Sequence, residues 1–158
     1  MAKEKPTRMA IIASEGKLDK VYPPLLLAST GAAMDFEVAI FFTFYGLNLI
    51  HKKKNKKLKV APIANPAAPM PVPNIVGMLP GMTAMATFMM KRMMKKANVA
   101  TVQELLEACQ EAGVRLIGCQ MTMDVMGIKK EDLLDGAEIG GAAMFLEFAK
   151  DADITLFI

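Results

Sequence analysis

The run Phe36-Glu37-Val38-Ala39-Ile40-Phe41-Phe42 carries a single charge among aliphatic and aromatic residues. As a strand it has no polar face, so both sides of the sheet it joins must be covered. That requirement points to a parallel sheet lying between helices. The rest of the chain alternates accordingly. Arg8–Ser14 reads as a first strand and Lys17–Ala33 as a helix that Pro23-Pro24 should kink or split, because an interior proline loses a backbone bond and clashes with the preceding turn. Thr43 opens a short helix ending near Ile50-His51, and Met82–Lys96 returns to helical spacing. Thr101 with Glu104 forms a capping box for a helix that closes at Gly113. Val114–Gly118 is a strand, followed by a helix-compatible segment after Cys119 and a short acidic helix at Ile128–Leu134. Ala137–Gly140, Gly141–Lys150 and Ile154–Ile158 read as strand, helix and strand. The order predicts an α/β fold of three layers, α/β/α, with about five parallel strands. The right-handed crossover rule then gathers Ser14, Thr43, Cys119 and Gly140 at one sheet edge.

The 158 residues suit a single domain, spanning 1–158, with a basic, Pro/Met-rich insertion at about 51–98. Six of the nine prolines fall between Val60 and Gly81, which rules out a regular element there. From Val38 to Gln103 there is no acidic residue, while ten Lys or Arg occur, so a net charge of +3 conceals a positive pole and a negative remainder. No aromatic residues are interleaved with these bases and no nucleic-acid motif occurs, which argues against nucleic acid. The uncharged run Val38–Ile50 is shorter than the roughly 20 residues a span needs. The chain is expected to be soluble and cytoplasmic, with peripheral membrane contact by the middle segment left open.

Chemistry concentrates on Cys119. A thiol at a strand's carboxyl end, before a helix, sits where parallel α/β folds hold ligands, and free helix amides there favour a thiolate. A small buried hydrophobe is the competing reading. Cys109 falls on the apolar face of its helix, and its expected role is core packing. Placing it about 6 Å along the helix and Cys119 about 16 Å along the strand, in layers roughly 10 Å apart, puts the pair beyond the ~7 Å disulfide limit. Thr122 and Asp124 are expected to cap the helix after Cys119. Gly140-Gly141 reads as a tight turn or as an anion cradle beside the thiol. One histidine and no Cys-x-x-Cys leave no metal site, and no cofactor motif occurs. The methionines at 82, 85, 89 and 93 read either as core or as an adaptable contact surface.

The segments Phe41-Phe42-Thr43-Phe44-Tyr45-Gly46-Leu47-Asn48-Leu49 and Cys119-Gln120-Met121-Thr122-Met123-Asp124-Val125-Met126-Gly127-Ile128, with the Met/Pro-rich middle and the tail from Ile139-Gly140-Gly141-Ala142, resemble the DsrE/DsrF-like proteins of sulfur relay, in their larger variant. The resemblance implies a homo-oligomer whose cysteine, here Cys119, carries sulfane sulfur as a persulfide or thiosulfonate and exchanges it with a small TusA-like carrier. It implies a sulfur carrier or sulfurtransferase without a cofactor. Cys109 matches a second thiol found in some relatives, and Thr122 stands where serine is common. Against this stands a non-catalytic adaptor acting through the Met-rich helix and the basic clusters. Thiol peroxidase chemistry lacks a resolving cysteine and ranks last.

Overall fold

The structure, a computed structural model, describes residues 5–60 and 79–158. Strands β1 (Arg8–Ala13), β2 (Glu37–Phe42), β3 (Arg115–Cys119), β4 (Glu138–Gly140) and β5 (Ile154–Phe157) form one sheet in the order β4-β3-β2-β1-β5, parallel throughout. The apolar run that required cover on both faces is the central strand, β2. Among the described residues five α-helices accompany the sheet: α1 (Leu18–Ala33), α2 (Met82–Lys96), α3 (Val102–Glu111), α4 (Gln120–Met126) and α5 (Ala142–Ala149).

Register sorts the side chains into two cores. Ile11, Ile40 and Leu116 are aligned across β1, β2 and β3, and they meet Leu18, Val21 and Leu25 of α1 and Leu105, Leu106 and Cys109 of α3. Ile11, Ile40, Leu25 and Val21 have no exposed surface, and each buried aliphatic side chain contributes about 1.5–3 kcal/mol. The opposite face is smaller. Ala10, Ala39, Phe41, Ile117 and Cys119 pack there against Phe145 of α5, whose ring stacks on Phe41 with centroids 5.1 Å apart. Leu146 and Phe157 remain largely exposed, so this layer is thinly covered.

One expected helix is not split, and another is not formed. Pro23 and Pro24 lie inside α1, which continues as one helix. The carbonyls that lose their partners belong to Asp19 and Lys20, both exposed, so water can satisfy them and the cost stays low. The acidic helix expected over 128–134 is a single 3-10 turn, Lys130–Asp132, whose backbone closes onto the Asp132 carboxylate through Lys129 N at 3.0 Å.

The capping box of α3 is present: Thr101 Oγ1 accepts from Glu104 N at 3.2 Å, and Glu104 Oε2 accepts from Thr101 N at 2.6 Å. Of the prolines expected in an irregular stretch, those at 62, 66, 69, 71 and 73 lie outside the described residues. Helix α2 is anchored by Thr87, whose Oγ1 accepts from Val60 N, and by Met90 against the larger core. Met85, Phe88, Met89 and Met93 are half or more exposed, which settles that their stripe is surface and not core.

Candidate functional site

Cys119 ends β3 and is the residue from which α4 springs, with φ −69° and ψ 114°. Along the carboxyl edge of the sheet its neighbours follow from strand order. Gly140 pairs with Cys119 on one side. Phe42 pairs with Gly118 on the other, which brings Thr43 alongside. Ser14 follows β1, one strand further, so at 4.7–4.9 Å per strand it stands roughly 10 Å from Cys119. Its hydroxyl donates to the carbonyl of Ile158 at 3.2 Å and faces the far edge. The edge therefore brings Gly140, Cys119 and Thr43 together and leaves Ser14 apart.

The loops that build this edge touch backbone to backbone. The 3-10 helix after β2, Phe44–Leu49, donates Gly46 N to Ser14 O at 3.1 Å. A Cβ on Gly46 would overlap the Ala13 carbonyl oxygen, and one on Gly16 would overlap that of Tyr45. These glycines are required for close approach.

The expected capping roles of Thr122 and Asp124 are corrected by the structure. No side chain caps α4. Thr122 is 1% exposed, and its Oγ1 accepts from Phe44 N at 3.1 Å and shares a 3.2 Å hydrogen bond with Thr43 Oγ1. It ties the start of α4 to the loop after β2, across 79 positions of sequence. Asp124 accepts from Gln120 Nε2 at 2.7 Å on the exposed side of the helix. Sequence reasoning missed the Thr43–Thr122 pair, although the adjacency of β2 and β3 is the signal that places the two hydroxyls together. It also missed Phe44, held at φ 45°, a left-handed conformation that is strained for a bulky residue.

Gly140 and Gly141 need no glycine conformation: Gly141 is extended and a Cβ there meets nothing. Gly141 precedes α5, which also starts without a side-chain cap. Two helix N-termini thus open at the Cys119 corner with first-turn amides free of side-chain partners. Cys119 itself is 6% exposed, buried with Phe41, Ile117 and Phe145. Around it Phe44, Tyr45, Met121 and Val125 project exposed apolar surface.

Cys109 lies on the other side of the sheet, fully buried in the larger core, with its Sγ 3.6 Å from the carbonyl oxygen of Leu25. Burial pushes its thiol up to about 11, which keeps it protonated. Both cysteines are free, as their separation into two cores requires. His51 is buried, its pKa lowered first by desolvation and then by the charge of Lys54, and its Nδ1 accepts from Lys53 N at 3.1 Å. It shapes the lysine turn, and the nearby Asp132 carboxylate acts on it in the opposite, raising sense. Among the described residues no cluster of His, Cys, Asp or Glu could hold a metal ion, and no described helix is long and apolar enough to cross a membrane.

Residues 5–157 match the model of the DsrE/DsrF/DrsH-like family. The chain belongs to this family. It is 51% identical over 157 residues to the sulfur carrier protein DsrE2 of Allochromatium vinosum, covering 96% of this chain and 98% of that protein. It is 34% identical to the uncharacterized protein YrkE of Bacillus subtilis, covering 98% and 99% of the two chains. The fold resembles that of the YchN protein from E. coli, with a TM-score of 0.59 at 16% identity, covering 96% of this chain and 99% of that one. A protein of unknown function from Methanobacterium thermoautotrophicum gives 0.56 at 13% identity with the same coverage. These two likenesses concern the α/β fold.

Proposed function

We propose that this chain is a sulfur carrier in which Cys119 takes up sulfane sulfur, as a persulfide or thiosulfonate, and hands it to a small TusA-like carrier protein. It acts in the cytoplasm as a homo-oligomer of a single DsrE/DsrF-like domain, with residues 51–98 as a basic insertion. The observation that carries the reading is the place of Cys119, at the β3–α4 junction between Thr43 and Gly140 and beside two uncapped helix starts. The 51% identical relative that is named a sulfur carrier supports it.

For the persulfide the step balances without an outside oxidant or reductant. The Cys119 thiolate attacks the outer sulfur of a donor persulfide, the donor's S–S bond breaks, and the donor leaves as a thiolate. The outer sulfur, with its proton, is now bonded to Cys119. Delivery repeats the step, with the acceptor thiolate attacking and Cys119 leaving. Amides at the two helix starts suit the negative charge on sulfur during both displacements. Thr122, Thr43 and Gly140 hold the corner in shape, and Gly141 keeps a helix start free beside it.

One observation favours a second reading, an adaptor without sulfur chemistry: Cys119 is 6% exposed while the methionine stripe of α2 is open. Incubation with thiosulfate or a persulfide donor, followed by intact mass, separates the two. The sulfur reading expects an adduct that disappears in Cys119→Ser and fails if that variant is loaded equally. A native Cys119 that resists alkylation until the protein unfolds supports the adaptor.

A further inference from the structure

A cavity of about 750 Å³ opens between α1, the Lys56 turn, the end of α2 and the start of α3. It lies on the sheet face away from Cys119, within the range of small-molecule sites. Its lining divides by polarity. Leu18, Leu58 and Val102, all buried, form an apolar floor beside the half-buried Tyr22. Lys56, Lys91 and Lys95 line it too, exposed and without an ion pair among the described residues.

One carboxylate, that of Glu104, borders the cavity, and it is held at the start of α3 by Thr101 N and Thr101 Oγ1, at 2.6 and 2.9 Å. Three lysines and one carboxylate, already held by Thr101, therefore share the lining. Lysines on the acid-free stretch could in principle be only a solvated face. Here two separate elements converge them on the mouth of a concave apolar floor, and that combination selects a ligand with both characters.

We propose that this cavity binds a small amphiphilic anion, an apolar chain or ring ending in a phosphate or carboxylate. The apolar part lies on Leu18, Leu58 and Val102, and the head group is met by Lys56, Lys91 and Lys95. Tyr22, whose phenol burial keeps protonated, can donate to the same head. The site is independent of sulfur chemistry at Cys119, so its failure would leave that reading standing.

Isothermal titration of the full-length chain with decyl phosphate, decanoate and decanol, each below its aggregation threshold, tests the assignment. At least one anion should bind at one per chain, with decanol weaker by about tenfold or more, since charge-assisted hydrogen bonds are the difference. A preference between the two anions identifies the head group. Lys91→Gln with Lys95→Gln should weaken the anions by about tenfold or more and flatten the salt dependence. Exposed substitutions of this kind rarely affect folding, which circular dichroism checks. Met85→Gln with Met89→Gln and Met93→Gln removes the adjacent open stripe and should leave affinity unchanged. Equal binding of decanol, no anion binding up to about 1 mM (a free energy near −4 kcal/mol), unchanged affinity in the lysine variant, or loss of binding in the methionine variant would each overturn the proposal.

Discussion

Thr122→Val exchanges one hydroxyl for a methyl at a position with 1% exposure and leaves the volume almost unchanged. What it removes is the acceptor of Phe44 N and the partner of Thr43 Oγ1. Leaving a buried donor without an acceptor costs about 1–3 kcal/mol. Thr43 is half-exposed and can turn to water, and Phe44 is partly solvated, so the value is expected toward the lower half of that range. The same hydrogen bond helps hold Phe44 at φ 45°, so its loss also lets the loop after β2 relax. For a chain of 158 residues, a change of 1 kcal/mol moves the melting temperature by about 2–4 °C, which gives a fall of about 2–8 °C. Thr122→Ser restores the oxygen and loses one buried methyl, about 0.8 kcal/mol. The expected order of stability is Thr, then Ser, then Val, measured by urea unfolding with unchanged m. A valine variant as stable as the parent, or more stable than the serine variant, would refute the role given to this hydroxyl.

Gly46→Ala should lower stability by about 3 kcal/mol or more, because its Cβ meets a carbonyl oxygen that cannot move without distorting β1, whereas Gly141→Ala should be neutral; thermal melts of the pair test this. Glu104 is held below its ordinary value of 4.5 by the backbone and then the side chain of Thr101, so its contribution is present above that value and lost as pH falls through the lower, folded one. Glu104→Gln should remove that part of the acid dependence, read from melting temperature against pH. Cys109 has the opposite sign: raised from 9.0 to about 11, it contributes stability below pH 9 that is lost as pH rises toward 11, about 2–3 kcal/mol across that window. Cys109→Ala should flatten alkaline unfolding and leave sulfur loading of Cys119 intact; loss of loading would place both thiols in the chemistry.

The strands and α3 were legible because their signals are local and mutually consistent: FEVAIFF has no polar face, and Thr101 with Glu104 closes a cap within one turn. The thiol separation was legible too, since a strand and a helix joined at Gly113 must place Cys109 and Cys119 in different layers. Pro23-Pro24 left open whether the helix splits, because the cost of an interior proline depends on whether the freed carbonyls reach water, which is a tertiary fact. Thr122 misled for a related reason. Its hydroxyl had a local partner available at the helix start and a distant one on the loop after β2, and packing of β2 against β3 chose the distant one. Whether Cys119 is buried stayed open because α5, which covers it, lies beyond a turn whose path the sequence does not specify.

The sheet that separates the two thiols also governs what oxidants can do to this protein. While the fold is intact, Cys109 and Cys119 stand on opposite faces, and no small motion brings them within bonding distance. A disulfide within one chain can form only after the sheet has come apart, and once formed it prevents the sheet from closing again. Such a species records an unfolding event rather than a catalytic turnover. The fraction of chain locked in it, resolved on a non-reducing gel, would serve as an internal clock of how often the molecule opens under oxidising conditions.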